Sequence, residues 1–152
     1  MGSVIGFQYN NTPYYFQKNI QGDIVSIVNA MGVKVVEYTY DAWGEALTIT
    51  GTLASTVGTY NPFRYRGYYY DSETEWYYLN SRFYEPQVGR FLNLDHPELI
   101  GANDGIIGYN LYAYCNNNPV MGYDPLGEWD WGSIFSTLYK YKLYIGVMIK
   151  GN

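Results

Sequence analysis

The sequence predicts an all-β protein of stacked, tyrosine-rich antiparallel β-hairpins, followed by an irregular segment and a short C-terminal helix or strand. The first observation is composition: 20 of the 152 residues are tyrosine, whose large ring and single hydroxyl suit a half-buried sheet surface. The second is that turn-forming residues separate short aromatic and β-branched runs. The third is a repeat, since Gly22, Gly44, Gly67 and Gly89 are 22, 23 and 22 residues apart. This period indicates one hairpin per unit, each burying its face against its neighbours.

The first part of the chain reads as alternating strands and turns. An aromatic run at residues 14–16 precedes a turn at 21–23, a β-branched strand at 24–28 and a turn at 29–32. Residues 33–41 then alternate between apolar and polar side chains, which is typical of a half-buried strand. The apolar face of that strand carries Val36, Tyr38 and Tyr40.

The turn that closes this strand has a recognisable chemistry. In Tyr40-Asp41-x-x-Gly44 the aspartate is expected to accept hydrogen bonds from backbone N–H groups two or more residues later, and the glycine to supply a left-handed position. Residues 48–59 are small and uncharged, so they predict a loop or an edge hairpin.

Residues 61–91 are the most aromatic stretch and predict a long hairpin. The expected strands are residues 63–70 and 76–84, joined by a turn at 71–75 and followed by a second turn at 85–89. Runs of tyrosine, phenylalanine and tryptophan between turn residues favour this reading.

The amino-acid composition changes in the last third of the chain. Residues 91–127 mix glycine, asparagine and proline with short apolar runs, which predicts irregular structure with a short helix near residues 108–115. Residues 116–119 are expected to end this helix, because the residue before a proline is disfavoured in a helix. In the tail, one helical face with Ser133 as N-cap is indicated, although alternation at 139–143 leaves a strand open. The residues of that face are Ile134, Leu138, Tyr141, Ile145 and Met148.

Composition excludes several classes of function. The net charge is −5, which argues against nucleic-acid binding, since phosphate contacts need a basic face. Cys115 and His96 are each the only residue of their type, so an internal disulfide and a metal site built on paired histidines are excluded. We expect no cofactor and no metal. No apolar run reaches the length of a membrane span, and no signal peptide is recognisable at the start.

Three stretches resemble a known family. Tyr40-Asp41-x-x-Gly44 resembles the tyrosine–aspartate (YD) repeat, and residues 63–91 and 109–127 resemble the RHS repeat-associated core domain. The resemblance covers roughly residues 13–127, with the three motifs in the family's order. It implies YD-repeat hairpins at residues 1–60, the RHS core at 61–127, and a tail at 128–152 that is the remnant of a variable cargo region.

The resemblance also implies a function. Members of this family are long proteins whose YD repeats form a hollow β shell around a C-terminal toxic segment, with the core domain plugging one end. The expected partners are the rest of such a shell or its cargo, and a second copy of the chain at open sheet edges. The expected location is outside the cell or at its surface, as part of a larger system. Because a few hairpins cannot close a shell, we expect a partial or truncated member.

In many members an aspartyl autoprotease in the core cuts the chain just after a Pro-x4-Asp-Pro-x-Gly-Leu motif. The residues of this chain at the motif positions are Pro119, Asp124, Pro125, Gly127 and Glu128. Glu128 stands where the family has leucine, so the resemblance places cleavage between Glu128 and Trp129. The family's Tyr-Asp-Pro before Gly-Arg-Phe is also changed, to a glutamate at position 85.

The resemblance makes Asp95 and Asp124 the candidate catalytic residues. An aspartyl protease needs two close carboxylates that share a proton, one acting as base on a water molecule and the other as acid. The alternative is that both aspartates only cap turns, as aspartate commonly does.

Three functions are therefore carried forward. The first is a structural core or plug module of a toxin-enclosing shell, and the second is a self-cleaving protease that cuts after Glu128. The third is a surface module that binds carbohydrate through exposed aromatics such as Trp43 and Trp76, although the same residues serve hairpin packing equally well.

Overall fold

A computed structural model of the chain describes residues 4–95, 110–124, 127 and 132–133. Within these residues the regular structure is almost entirely β, which confirms the predicted class. The strands are β1 (Gly6–Tyr9), β2 (Thr12–Lys18), β3 (Ile24–Val28), β4 (Lys34–Tyr40), β5 (Ala46–Thr50), β6 (Tyr69–Asp71), β7 (Trp76–Tyr78), β8 (Phe83–Glu85), β9 (Arg90–Phe91), β10 (Gly122–Tyr123) and β11 (Gly132–Ser133). None of the helices in the described part is long and apolar enough to cross a membrane.

The chain divides into two compact units. The first comprises Met1–Tyr78 and Glu85–Val88, and the second comprises Leu79–Tyr84 and Gly89–Asn152. The first unit contains a five-stranded antiparallel sheet in the order β1-β2-β3-β4-β5, so each strand pairs with its neighbour in the chain.

The core of the first unit lies on one face of this sheet. Ile27 pairs with Val36 across β3 and β4, and Tyr38 pairs with Ile49 across β4 and β5. Ile27, Val36 and Tyr38 are buried, whereas Thr39 between the two tyrosines of β4 is exposed. The alternation predicted for residues 33–41 is therefore confirmed.

The predicted turn at Asp41 is also confirmed. Asp41 Oδ1 accepts hydrogen bonds from the N–H groups of Trp43 (2.8 Å) and Glu45 (2.9 Å), and Gly44 has a φ of 96°. The turns after β2 and β3 are built in the same way, with the side-chain oxygens of Asn19 and Asn29 accepting from two later N–H groups each. An asparagine or aspartate three residues before a glycine is thus the turn signal of this sheet.

The loop or edge hairpin predicted at residues 48–59 is wrong for residues 54–58, although residues 48–50 do lie in an edge strand. This stretch contains the end of β5 and a π-helix at Ala54–Gly58. Its small residues allow the helix to lie close to β4, where Val57 is buried and the Tyr38 hydroxyl donates a 2.7 Å hydrogen bond to the Gly58 carbonyl.

The two long strands predicted within residues 61–91 are interrupted. Residues Tyr65–Gly67 form a 3₁₀ turn in which Arg66 has a φ of 54°, because its N–H donates a 2.9 Å hydrogen bond to Asp23 Oδ1. Only β6 and β7 pair as expected, with Tyr70 opposite Tyr77. Asn80, at a φ of 66°, breaks the second strand, whereas the predicted turns at 71–75 and 85–89 are present.

The second unit contains β9, β10, β11 and most of β8. A buried aromatic cluster packs within it: the ring centroid of Tyr84 lies 4.3 Å from that of Tyr114 and 5.8 Å from that of Phe91. The described part of the helix predicted near residues 108–115 is a turn, followed by a 3₁₀ turn at Cys115–Asn117. Of the tail, only β11 lies among the described residues; the predicted face at 134–148 lies outside them.

Candidate functional site

The two aspartates selected from the sequence meet at one arginine in the second unit. Arg82 Nη2 lies 3.0 Å from Asp95 Oδ2 and 3.4 Å from Asp124 Oδ2. All three residues are buried, with Arg82 only 3 % exposed. Both carboxylates were predicted from the sequence, whereas the arginine that brings them together was not.

The other two nitrogens of Arg82 each donate to a backbone carbonyl. Its Nε donates to the Gly127 carbonyl and its Nη1 donates a 3.1 Å hydrogen bond to the Leu111 carbonyl. The guanidinium carbon lies 3.5 Å from the centre of the Phe91 ring. Because a guanidinium carries five donors in a rigid fork, one side chain can hold several segments at once. Arg82 therefore joins parts of the second unit that are far apart in the sequence.

A tight turn at residues 79–82 orients the side chains of Ser81 and Arg82 toward Gly127. The Leu79 N–H donates a 2.9 Å hydrogen bond to the Arg82 carbonyl, and Asn80 adopts the left-handed conformation that asparagine tolerates. The turn places the Ser81 hydroxyl so that it donates a 2.6 Å hydrogen bond to the Gly127 carbonyl. That single carbonyl therefore accepts from both Ser81 and Arg82.

Only glycine fits at position 127. Its φ is 68°, a conformation that side chains with a Cβ rarely adopt. A methyl group there would overlap the Leu79 carbonyl oxygen and lie 2.7 Å from Ser81 Oγ. Ser81 and the carbonyl of Leu79 thus form a cradle that requires the glycine of the cleavage motif.

The other motif residues are only partly described. Pro119 is buried in the second unit, while Pro125 and Glu128 lie outside the described residues.

Buried tyrosine hydroxyls in the first unit stabilise its backbone by hydrogen bonding. The hydroxyls of Tyr40 and Tyr77 donate to the carbonyls of Ile24 (2.8 Å) and Gly44 (2.9 Å). Burial raises the pKa of both hydroxyls above the ordinary value, with the nearby Arg64 guanidinium opposing that shift. They are therefore neutral hydrogen-bond donors at physiological pH.

Arg64 is itself enclosed by tyrosine rings. It is 5 % exposed, its guanidinium carbon lies 4.0 Å from the centre of the Tyr70 ring, and its Nη2 donates to the Thr59 carbonyl at 3.1 Å. Trp43 and Trp76 are half-buried, so carbohydrate binding through them stays a prediction. Among the described residues, no group of three or more histidine, cysteine, aspartate or glutamate side chains is arranged to hold a metal ion.

These features define a class: a structural β-repeat protein whose tyrosines build the sheet interior and in which Arg82, Asp95 and Asp124 form a buried ion cluster. The chain belongs to the Teneurin YD-shell family, whose model matches residues 1–120. The resemblance drawn from the tyrosine–aspartate motif is thereby confirmed.

Two bacterial relatives illustrate the family. The chain is 47 % identical over 118 residues to the tRNA nuclease WapA of Bacillus subtilis strain 168, covering 78 % of this chain and 5 % of the relative. It is 41 % identical over 88 residues to the double-stranded DNA deaminase toxin A of Burkholderia cenocepacia, covering 58 % of this chain and 6 % of the relative. The chain thus spans about a twentieth of the length of these relatives.

Solved structures agree with this assignment. The crystal structure of TcdB2-TccC3 matches with a TM-score of 0.66 and 32 % identity, covering 79 % of this chain and 5 % of that one. The Photorhabdus luminescens Tc holotoxin pore matches with a TM-score of 0.65 and 28 % identity, covering 84 % of this chain and 6 % of that one.

Proposed function

We propose that the chain is the structural core or plug module of an RHS-type shell that encloses a C-terminal cargo. The observation that carries this proposal is the use of the tyrosine hydroxyls. Four of them donate to backbone carbonyls inside the first unit: those of Tyr38, Tyr40, Tyr65 and Tyr77. Hydroxyls that donate to backbone carbonyls in this way stabilise the β-sheet structure and are not free to bind a small ligand.

The proposed partners follow from the same reading. They are the remainder of a shell and its cargo, in a system located outside the cell or at its surface. The five-stranded sheet has β1 and β5 at its edges, and an edge strand that no neighbour covers is a pairing surface. A second copy of the chain at such an edge is the corresponding proposal for self-association.

A chimera tests the structural role. This chain would replace the matched segment of the Bacillus subtilis tRNA nuclease WapA, and limited proteolysis would report whether the downstream segment stays protected. Protection equal to that of the parent nuclease supports the module, with a chimera lacking the segment as control. A folded chimera whose downstream segment is digested as fast as in the control contradicts it.

The buried cluster supports a second candidate function, hydrolysis of the chain's own Glu128–Trp129 peptide bond. One carboxylate of the Asp95–Asp124 pair takes a proton from a water molecule, and the resulting hydroxide attacks the carbonyl carbon of Glu128. The carbon–nitrogen bond breaks as the protonated carboxyl gives its proton to the departing nitrogen of Trp129. The products are a carboxyl end and an amino end, with water as the only co-reactant. What favours this candidate is that the two buried carboxylates contact the same guanidinium nitrogen, which brings them together in one site.

Intact-mass measurement of freshly purified protein tests self-cleavage. Two species that sum to the whole and divide between Glu128 and Trp129 support it, and Asp95→Asn is expected to abolish the division. A single species of full mass, or division that persists in the Asp95→Asn protein, contradicts the assignment.

A further inference from the structure

The carbonyl oxygen of Gly127 is held by two side-chain donors in the second unit. It accepts hydrogen bonds from two side chains of one turn, the Ser81 hydroxyl at 2.6 Å and Arg82 Nε. Neither bond involves the side chain at position 128, because both donors bind the backbone carbonyl of Gly127. The residue is buried, and the space beside its Cα admits only glycine.

We propose that the turn at residues 79–82 is a register-setting site, which selects the bond to be cleaved by holding the carbonyl of Gly127. The proposal rests on the self-cleavage described above. In it, Ser81 and Arg82 are positioning residues, whereas Asp95 and Asp124 are the groups that act on water and peptide.

The hydrogen bonds from Ser81 and Arg82 to the Gly127 carbonyl are called the anchor here. Arg82 connects this anchor to the two aspartates. The same guanidinium that holds the Gly127 carbonyl through Nε contacts both aspartates through Nη2. A guanidinium is planar and rigid, so its three nitrogens fix the anchored carbonyl relative to the carboxylates. Displacing the reacting groups by about 1 Å can reduce the rate roughly 10²-fold. A fixed carbonyl one residue before the cleaved bond therefore determines which bond is cleaved.

This arrangement accounts for the departure at the cleavage position. A site that read the side chain at position 128 would have to desolvate a glutamate where the family has leucine. A site that reads the backbone at position 127 presents the following bond whatever side chain follows. Ser81 is a feature of this sequence that contributes the second donor, and it was not identified from the sequence alone.

The decisive experiment inserts one alanine between Gly127 and Glu128 in the full chain. If the anchor sets the register, cleavage stays one residue beyond Gly127, and the N-terminal fragment ends in the inserted alanine. If the side chain sets it, the fragment ends in glutamate, and the proposal is overturned. If the turn had only a structural role, the cut would remain after the glutamate.

A paired substitution measures the contribution of Ser81. Ser81→Ala removes one donor to the Gly127 carbonyl and is expected to slow cleavage about fivefold, the usual effect of one lost hydrogen bond. Ser72→Ala, at an exposed turn position, is the matched control and should leave the rate unchanged. Equal rates in the Ser81→Ala and parent proteins would count against the anchor.

An added glutamate-specific protease separates failure of this proposal from failure of self-cleavage. An anchored Gly127 should protect the bond after Glu128 in the Asp95→Asn protein, and Gly127→Ala should expose it. Gly32→Ala is the control, because Gly32 also has a positive φ of 77° but has nothing within 4 Å of an added Cβ.

The outcomes are distinguishable. Protection without self-cleavage refutes the catalytic role and the register role, and leaves the anchor as a structural contact. Self-cleavage whose position follows the glutamate refutes the register alone. Rapid cutting after Glu128 in the protein with an intact anchor refutes the anchor itself.

Discussion

Replacement of Arg82 by methionine is expected to destabilise the second unit severely. Methionine keeps much of the length of the side chain but removes every donor, so Asp95 and Asp124 lose their buried cation. Removing one partner of a buried ion pair costs about 3–5 kcal/mol. The carbonyls of Gly127 and Leu111 also lose their donor from Arg82, at roughly 1 kcal/mol each.

Since these effects share one side chain, they do not add fully, and we expect a loss of about 4–6 kcal/mol. That is comparable with the whole stability of a small domain, about 5–15 kcal/mol. The variant should therefore retain the first unit and lose ordered structure in the second.

Urea unfolding followed by far-ultraviolet circular dichroism and by amide hydrogen exchange measures this loss. Arg90→Met is the matched control, because Arg90 is exposed in β9 and its removal should change stability by less than about 0.5 kcal/mol. The two units are expected to unfold in separate transitions in the Arg82→Met protein, since a two-state description fails when parts of a chain differ in stability.

A rescue identifies the physical cause. Adding Asp95→Asn and Asp124→Asn to Arg82→Met removes both uncompensated charges and should recover about half of the loss. A cost of less than about 1 kcal/mol for Arg82→Met, or a larger loss of stability when the two amides are added, would contradict this prediction.

Three further predictions concern the first unit. Because burial raises the pKa of Tyr40 and Tyr77 above the unfolded value, the stability that they contribute is complete below pH 10 and falls above it. The slope is about 1.4 kcal/mol per pH unit for each tyrosine, and urea midpoints from pH 8 to 11 that do not fall would contradict it. Gly44→Ala places a methyl group 2.5 Å from a buried tyrosine ring, whereas Gly32→Ala meets nothing within 4 Å; the first should lower the midpoint of thermal unfolding much more than the second. Asp41→Ala removes the acceptor of two N–H groups and should cost about 1–2 kcal/mol in urea unfolding, while Asp41→Asn, which keeps an acceptor oxygen, should cost less than half of that.

Local signals predicted β3, β4 and the turns beside them, because the structure there is determined locally. Each strand pairs with its chain neighbour, and turns such as that at Asp41 contain their own hydrogen-bond acceptors. The interruption at residues 65–67 was not predictable in this way. The conformation of Arg66 depends on Asp23, which is 43 residues away in the chain, and no window of sequence contains both.

The site was half predicted. Asp95 and Asp124 were selected by resemblance to a family, and the structure brings both to Arg82. Arg82 was missed because a buried cation and a surface cation look alike in a sequence. A signal was nevertheless present: alternation in the predicted strand at 76–84 places Arg82 on the same face as Tyr84, which is fully buried.

The chain-order pairing of the five-stranded sheet has a consequence for synthesis. A hairpin closes in about 1–10 μs, whereas a ribosome adds only about 5–20 residues per second. Each strand of that sheet therefore finds its partner as soon as both have emerged. Arg82 differs, because Asp124 follows it by 42 residues and Gly127 by 45. During the several seconds that separate them, Arg82 lacks two of its acceptors, so the buried cluster around it forms only after Gly127 has been made.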